Sequence, residues 1–296
     1  VQLLPNLVKS RRMYPQVCTK DPTAVEEEAR SIYAAMFPHA APAFVPRIFL
    51  WATECFRGEF NGYQAIDAKY HDLEHTLQGT LCLARLLNER HAAEAKPRLT
   101  RRMFELGLVA ILLHDTGYLK KSADTDGTGA KYTLIHVSRS CDFAAELLGE
   151  RGYGGRDIKA VQNMIRCTGV NTDLASIPFE NDLNRIVGFA VGTADLLGQM
   201  AADDYIDKLP VLYLEFAESQ RFNATNPSAP ILFRSEEDLI QRTPSFWTKY
   251  VEPKINDDFL GLYRFLNQPF PHGPNFYVDK IESNIARLRH ERRIEP

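Results

Sequence analysis

The amino-acid sequence predicts an all-α protein, a helical bundle. Three observations carry that expectation. Residues 70–90 set Leu73, Leu77, Leu81 and Ala84 at three- and four-residue steps, the spacing of one helix face. Residues 101–113 are apolar on nearly every side, as befits a helix through the middle of a bundle. Residues 181–205 form a long helical stretch, with Ile186, Val187, Phe189, Ala190 and Val191 followed by Leu196 and Leu197.

Taken in order, residues 23–36 follow Pro22 and carry Glu26, Glu27 and Glu28 in their early turns, where the positive end of the helix dipole favours anions. Residues 38–46 are rich in Pro and Ala and read as a linker. Residues 47–60 fit either a helix or an extended segment. The helix over 70–90 comes next, and His71 and His75, four residues apart, are expected to stack on one side of it. Lys96-Pro97-Arg98 interrupts the chain, and Thr100 can cap residues 101–113. His114 and Asp115 stand at the end of that helix, with Gly117 as terminator. Residues 120–130 are a polar loop with Asp124, Asp126, Gly127 and Gly129; the twelfth-position Glu and regular ligand spacing of a calcium loop are missing. Helices are expected at 133–149, 157–167, 181–205 and 210–220, with a loop at 171–178. The tail from 225 holds many prolines and aromatics and is the least periodic part, with helices at 236–241, 257–266 and 278–290. The expected organisation is a single helical domain over 1–296. Its core spans about 65–205, with residues 1–64 and 206–296 packed on it.

Bulk properties narrow the function. With 296 residues, 45% hydrophobic and 25% charged, the chain can bury a sizeable core. A net charge of −3 gives no electrostatic footprint for nucleic acid. The five cysteines, Cys18, Cys55, Cys82, Cys141 and Cys167, are odd in number and form no C-x-x-C, which argues against a disulfide framework. Cys82 and Cys141 fall in helical patterns and read as small buried hydrophobes. No apolar run approaches the roughly eighteen residues of a membrane span. Val1-Gln2-Leu3-Leu4-Pro5 lacks the basic start and apolar core of a signal peptide. The expected setting is cytoplasmic, with neither nucleic acid nor membrane as partner; a homo-oligomer is compatible with the sequence.

Two segments carry the chemistry: Tyr70-His71-Asp72-Leu73-Glu74-His75 and Leu112-Leu113-His114-Asp115-Thr116-Gly117. An imidazole beside a carboxylate at the end of an apolar run is costly unless compensated, and a metal ion compensates it. Asp115 in particular meets the wrong end of its helix dipole, an objection that a neighbouring cation removes. Asp195 again interrupts an apolar helix, where a carboxylate requires a partner: a metal, or an arginine. His136 precedes Ser140, Phe143 and Leu147 at helical steps and therefore faces inward. His39, His91, His272 and His290 have no neighbour at metal-ligand spacing, and Asp203 and Asp204 read as solvated.

His75, His114-Asp115 and Asp195, in this order, resemble the HD superfamily of metal-dependent phosphohydrolases. The first segment is similar to the Tyr-His-Asn-x-x-His of the cyclic-nucleotide phosphodiesterases. The likeness covers roughly residues 70–205. It implies an HD-domain, phosphodiesterase-like bundle in which His75, His114, Asp115 and Asp195 ligate a divalent transition metal (Zn, Fe, Mn, Ni or Co), and Asp115 bridges toward a second ion, for which Mg is a candidate. It implies His71 as the acid that protonates the leaving oxygen and His136 as a ligand of the second ion. The substrate would be a small phosphorylated molecule, a nucleotide or cyclic nucleotide foremost. Lys69 and Arg139, with Lys131 and Arg166, are the nearest basic residues in sequence for its phosphate, and Gln241 and Phe246 stand in the region where phosphodiesterases hold the base. The pattern also departs from the family. Tyr118 stands where a further histidine is expected, and Asn163, Arg166 and Cys167 stand where the next helix supplies another. That leaves the second ion weak, differently ligated or absent. The missing histidines leave a non-catalytic metal- or ligand-binding regulatory protein as one alternative, and the likeness of the same His/Asp centre to the HD-fold di-iron oxygenases implies such an oxygenase as another.

Overall fold

The computed structural model describes residues 14–224 and 233–292. Val1–Pro5, and residues 225–232 of the tail, lie outside that range. Ten α-helices form among the described residues, and most begin at a cap written in the sequence. Asp21 caps α1 (Pro22–Met36) by accepting from Thr23 N–H. α2 spans Phe44–Arg57 and ends on Gly58 in the left-handed region (φ 75°). It begins inside the expected Pro/Ala linker, because Phe44, Val45, Ile48 and Phe49 form a buried face that Pro46, in the first turn, does not obstruct.

Asp72 caps α3 (Leu73–Ala92), so this helix starts later than residue 70, and His71 lies outside it on non-helical backbone. Thr100 caps α4 (Arg101–Leu113) as expected. A short 3₁₀ turn, Thr116–Tyr118, follows, and a second at Gly129–Tyr132 precedes α5 (His136–Glu150). α6 is Gly155–Arg166. Asn181 caps α7 (Asp182–Met200), which ends short of residue 205. α8 is Leu209–Phe222, and Ser235 caps α9 (Glu236–Phe246).

The C-terminal part departs furthest from expectation. α9 runs past residue 241, takes Pro244 into its last turn, and widens into π-helical turns at Trp247–Val251 and Lys254–Asp258. Trp247, Val251, Ile255 and Phe259 are all buried, so one apolar face continues through the change of pitch. Leu260 and Gly261 then take positive φ and break the chain before a 3₁₀ turn, Leu262–Leu266, in place of a helix over 257–266. α10 (Phe276–Arg292) closes the fold.

The centre is the crossing of α3 and α7, both buried along most of their lengths, with α4 and α6 against them. Close approach at this crossing depends on a missing side chain: a Cβ on Gly198 would run into the backbone of Gln78. Because Gly198 lies three residues after Asp195, and Gln78 three after His75, the same contact brings those two side chains together. α1 and α2 cover the other side of α3 and α4 through the stacked rings of Tyr33 and Phe104, 5.8 Å apart. α8 packs on the Gly129–Tyr132 turn, and α10 on α7 and α9. All five cysteines are free, with Cys82 and Cys141 buried.

Candidate metal centre

Three helices deliver one cluster. His75 sits in the first turn of α3, where the Asp72 carboxylate accepts its backbone N–H at 2.9 Å. His114 ends α4, and its Nδ1–H donates to the Ile111 carbonyl at 2.7 Å, which leaves Nε2 to face the cluster. Asp115 follows on the turn, and Asp195 projects from α7. His75 Nε2 lies 3.2 Å from Asp115 Oδ2 and 3.3 Å from Asp195 Oδ1; His114 Nε2 lies 3.2 Å and 3.3 Å from the same two oxygens. The ligand atoms of His75, His114 and Asp195 all fall within 4.8 Å of one another.

These spacings suit a shared cation. Bonds of about 2.0–2.2 Å in tetrahedral or octahedral arrangement set neighbouring ligand atoms about 2.9–3.5 Å apart. Despite their proximity, His114 Nε2 and Asp115 Oδ2 make no well-directed hydrogen bond. Two imidazoles and two carboxylates are also a donor set for a divalent transition metal. The His75/His114/Asp195 group is therefore capable of coordinating one, and Asp115 lies at ligand distance beside it.

Burial intensifies the electrostatics. Desolvation alone would lower the pKa of His75, but Asp115 and Asp195 outweigh it and raise it to about 9. His114 is raised well above its ordinary value for the same reason. Burial would raise both carboxyls, yet the imidazoles, His114 foremost, hold Asp115 and Asp195 well below the usual carboxylate range. Without a metal the four groups form a self-neutralising cluster of two cations and two anions.

The two remaining histidines line the more open side. His136 opens α5, donates Nδ1–H to the Thr133 carbonyl at 2.7 Å, and sets Nε2 3.8 Å from Asp115 Oδ1. Burial lowers its pKa, leaving a neutral imidazole. Asp115 thus faces the cluster with one oxygen and His136 with the other. His71 Nδ1 lies 2.5 Å from Glu215 Oε2, while Glu215 Oε1 accepts the Tyr70 N–H at 2.7 Å. Burial would raise the Glu215 pKa, but His71 and these hydrogen bonds lower it, so the group stays a carboxylate. The ring of Tyr118 stacks on both histidines, 4.5 Å from His71 and 4.7 Å from His136. The position that departs from the phosphodiesterase pattern is thus a buried aromatic ring against which both histidines pack, 6.2 Å from each other.

Glu215 was not singled out by sequence reasoning. Its signal was the one that marked Asp195: an acid within an apolar helical run, Val211 to Ala217. A second brace was equally unread. Tyr70 Oη donates to Gln199 Oε1 at 3.0 Å, and Gln199 Nε2 reaches the Asp195 carbonyl at 3.3 Å and Oδ1 at 3.5 Å.

The expected substrate residues are placed differently. Arg139 donates to the carbonyls of Gly117 and Leu119 at 2.7 Å each and lies over the Tyr132 ring, so it braces the turn that carries His114 and Asp115. Ser140 accepts the Gly117 N–H in the same brace. Lys131 binds Asp124 and the Asp126 carbonyl, filling the polar loop with its own ammonium group. Arg166 pairs with Asn163, whose amide in turn holds the Pro178 carbonyl. Lys69 is exposed. Gln241 is exposed and bonds Glu237, and Phe246 stacks on Tyr250. None of these side chains joins the hydrogen-bond network of the cluster among the described residues.

A family model described as Npun_R2479-like matches residues 122–291, more than half of the chain. The matched segment holds His136, Asp195 and Glu215, while His71, His75, His114 and Asp115 precede it. No curated protein matches the chain.

Proposed function

The chain belongs to the Npun_R2479-like family, and for this member we propose a metal-dependent phosphohydrolase of the HD type, acting on a phosphoester with a nucleotide or cyclic nucleotide as the leading substrate class. The observation that carries the proposal is the pairing of a four-ligand cluster with a separate His–Glu pair at its open side. His75, His114, Asp115 and Asp195 would hold the metal. A bound divalent ion supplies Lewis-acid polarisation of a phosphoryl oxygen and lowers the pKa of coordinated water.

The chain's own residues supply the rest. Glu215 fixes His71 by accepting from Nδ1, so the proton available for transfer sits on Nε2 of the imidazolium form. The departing alkoxide takes that proton, and the Glu215 carboxylate stabilises the charged ring before transfer. Tyr118 holds the ring plane and keeps water from the inner face of His71 and His136. Gln199 and Tyr70 brace Asp195 and the His71 segment together. His136, neutral and beside the second oxygen of Asp115, is the candidate ligand for a second ion.

One observation favours a second reading, a non-catalytic metal- or ligand-binding protein. His75, His114, Asp115 and Asp195 are only 4%, 1%, 2% and 7% exposed, so a substrate approaches along the His71–His136 side or not at all. The deciding experiment is an assay of metal-reconstituted protein against bis-nitrophenyl phosphate, cyclic nucleotides and nucleoside phosphates. Metal-dependent turnover of any of these supports the hydrolase. Stoichiometric metal binding with no turnover under Mn, Mg, Co, Ni, Zn and Fe selects the non-catalytic reading.

A further inference from the structure

α8 turns polar side chains inward. Glu215 and Ser219 are among its buried residues, whereas Leu214 is exposed. Glu215 and Glu218 stand three residues apart and so lie on one side of the helix. Carboxylates withdrawn from water in so apolar a helix are costly unless hydrogen bonds compensate them. Glu215 is compensated by His71 and the Tyr70 N–H. Half-buried Glu218 is compensated by Thr128: one oxygen accepts the Thr128 backbone N–H, and the other accepts its hydroxyl at 2.8 Å.

A short series of hydrogen bonds leads from Thr128 to the second histidine of the open side. Thr128 caps the 3₁₀ turn Gly129–Tyr132 by accepting the Ala130 N–H at 3.2 Å. The Ala130 carbonyl accepts both the Thr133 N–H at 3.1 Å and the Thr133 hydroxyl at 2.6 Å. The Thr133 carbonyl then accepts Nδ1–H of His136 at 2.7 Å. Close packing leaves this segment little freedom. A Cβ on Gly129 would run into the Tyr118 carbonyl, and one on Gly127 into the Phe222 ring of α8. Asp67 accepts the Gly129 N–H at 2.7 Å, and Lys120 donates to the Gly127 carbonyl at 2.6 Å. The hydrogen bonds that tie the segment to α8 are those of Glu218.

We propose that α8 is the common frame of His71 and His136, and that Glu218 is a positioning residue for His136. Through Thr128 and the turn it keeps the Thr133 carbonyl at Nδ1, so that the ring presents Nε2 to Asp115. The bonds from Thr128 to the carboxylate are charge-assisted, and so stronger than bonds between neutral groups. One helix then carries the tie to each histidine, and the two rings keep their separation of 6.2 Å. The consequence for a second ion rests on the proposed function; the positioning of the ring does not.

The ring nitrogens of His136 report the tie. In chelator-treated protein with isotope-labelled histidine, at neutral pH and with His136→Gln to assign the signals, wild type should show His136 as the Nδ1–H tautomer. Glu218→Ala should shift both nitrogens toward the averaged positions of a ring exchanging between tautomers. The His114 signals, set by the Ile111 carbonyl, should stay in place. Glu218→Gln keeps an acceptor for the Thr128 N–H and should reverse most of the shift. Thr128→Ala cuts the same tie from its other end and decides the matter if Glu218→Ala does not fold. His136 signals that keep their wild-type positions in a folded Glu218→Ala or Thr128→Ala protein overturn the proposal. Where titration shows that wild type binds a second divalent ion, Glu218→Ala should weaken that ion about 10–100-fold and leave the first unchanged. Wild type that binds no second ion overturns the second-ion reading alone and leaves the test on the ring in force.

Discussion

The Glu215 carboxylate lies 2.5 Å from Nδ1 of His71, across 144 residues of chain. The same carboxylate accepts the Tyr70 backbone N–H. One acid therefore fixes both the ring and the backbone of the segment ahead of α3. The pair stands beside the His/Asp cluster, so on the proposed function proton delivery and metal binding fall to separate residues.

That separation is measurable. His71→Ala should keep its metal and lose about 10²–10⁴-fold in turnover of a phosphodiester. The loss should shrink for substrates with very good leaving groups, which need little protonation. Glu215→Gln should move in the same direction by a smaller factor, because a neutral amide orients the ring but does not stabilise its charge. A plot of rate against leaving-group pKa for the three proteins checks this. Parallel lines would remove the acid role from His71.

Removing a cluster histidine should act on the fold as well as on the metal. His114→Ala leaves Asp115 and Asp195 buried with half of their positive partners gone. Breaking a buried ion pair from one side costs about 3–5 kcal/mol. Chemical denaturation of the metal-free proteins should show a loss of that order, and metal uptake should fail. An unchanged midpoint would mean that the two carboxylates are not held as the ion pairs seen here.

The pH dependence follows from the same cluster. In the metal-free protein His75 is raised to about 9 and His114 is raised well above its ordinary value. Groups raised in the folded state stabilise it fully below their unfolded value, about 6.5, and lose that contribution as pH climbs through the folded value. Chelator-treated protein should therefore lose stability from about pH 6.5 upward through about 9. Asp115 and Asp195, depressed in the folded state, contribute above their unfolded value and lose that contribution only in acid. Metal binding must expel the imidazole protons, so metal affinity should rise over the same interval in which metal-free stability falls. Thermal unfolding and metal titration across that range check the opposed slopes. An affinity independent of pH would contradict the account.

The turn behind the cluster gives a structural prediction. A Cβ on Gly117 would run into the His136 carbonyl, so Gly117→Ala must push α5 away. A cost of about 1–3 kcal/mol is expected for such overpacking. Arg139→Ala should also lower stability, since Arg139 holds the carbonyls of Gly117 and Leu119. The KM for an anionic substrate should change little in Arg139→Ala. A large rise in KM at unchanged stability would give Arg139 the anion-binding role that its place in the sequence first suggests.

Much of this was legible in the sequence where local signals and burial agree. Thr100 and the all-round apolar run place α4 to the residue, and the lone acid in an apolar helix marks Asp195. His75, His114 and Asp195 meet because each interrupts a helix that must be buried. Position relative to a cap was harder to read. Asp72, read as helical, is the N-cap, so His71 reaches the site from non-helical backbone rather than from a helix face. Long-range pairing was not legible at all: periodicity places Glu215 on a helix but cannot say that the helix returns to His71. Nor does a basic residue near a motif announce whether it will face a phosphate or, like Arg139, two backbone carbonyls. The π-helical turns after Pro244 keep an apolar face without a 3.6-residue period, which is why the tail reads as aperiodic.

The central claim is that His75, His114, Asp115 and Asp195 form a metal centre from which His71 stands apart. Elemental analysis by mass spectrometry tests it most directly, on purified wild type, His75→Ala and His71→Ala after incubation with divalent metal and removal of the excess. A stoichiometric transition metal in wild type and in His71→Ala, lost in His75→Ala, is the predicted result. Wild type that retains no Mn, Fe, Co, Ni or Zn would contradict the account, as would His71→Ala losing its metal to the same extent as His75→Ala.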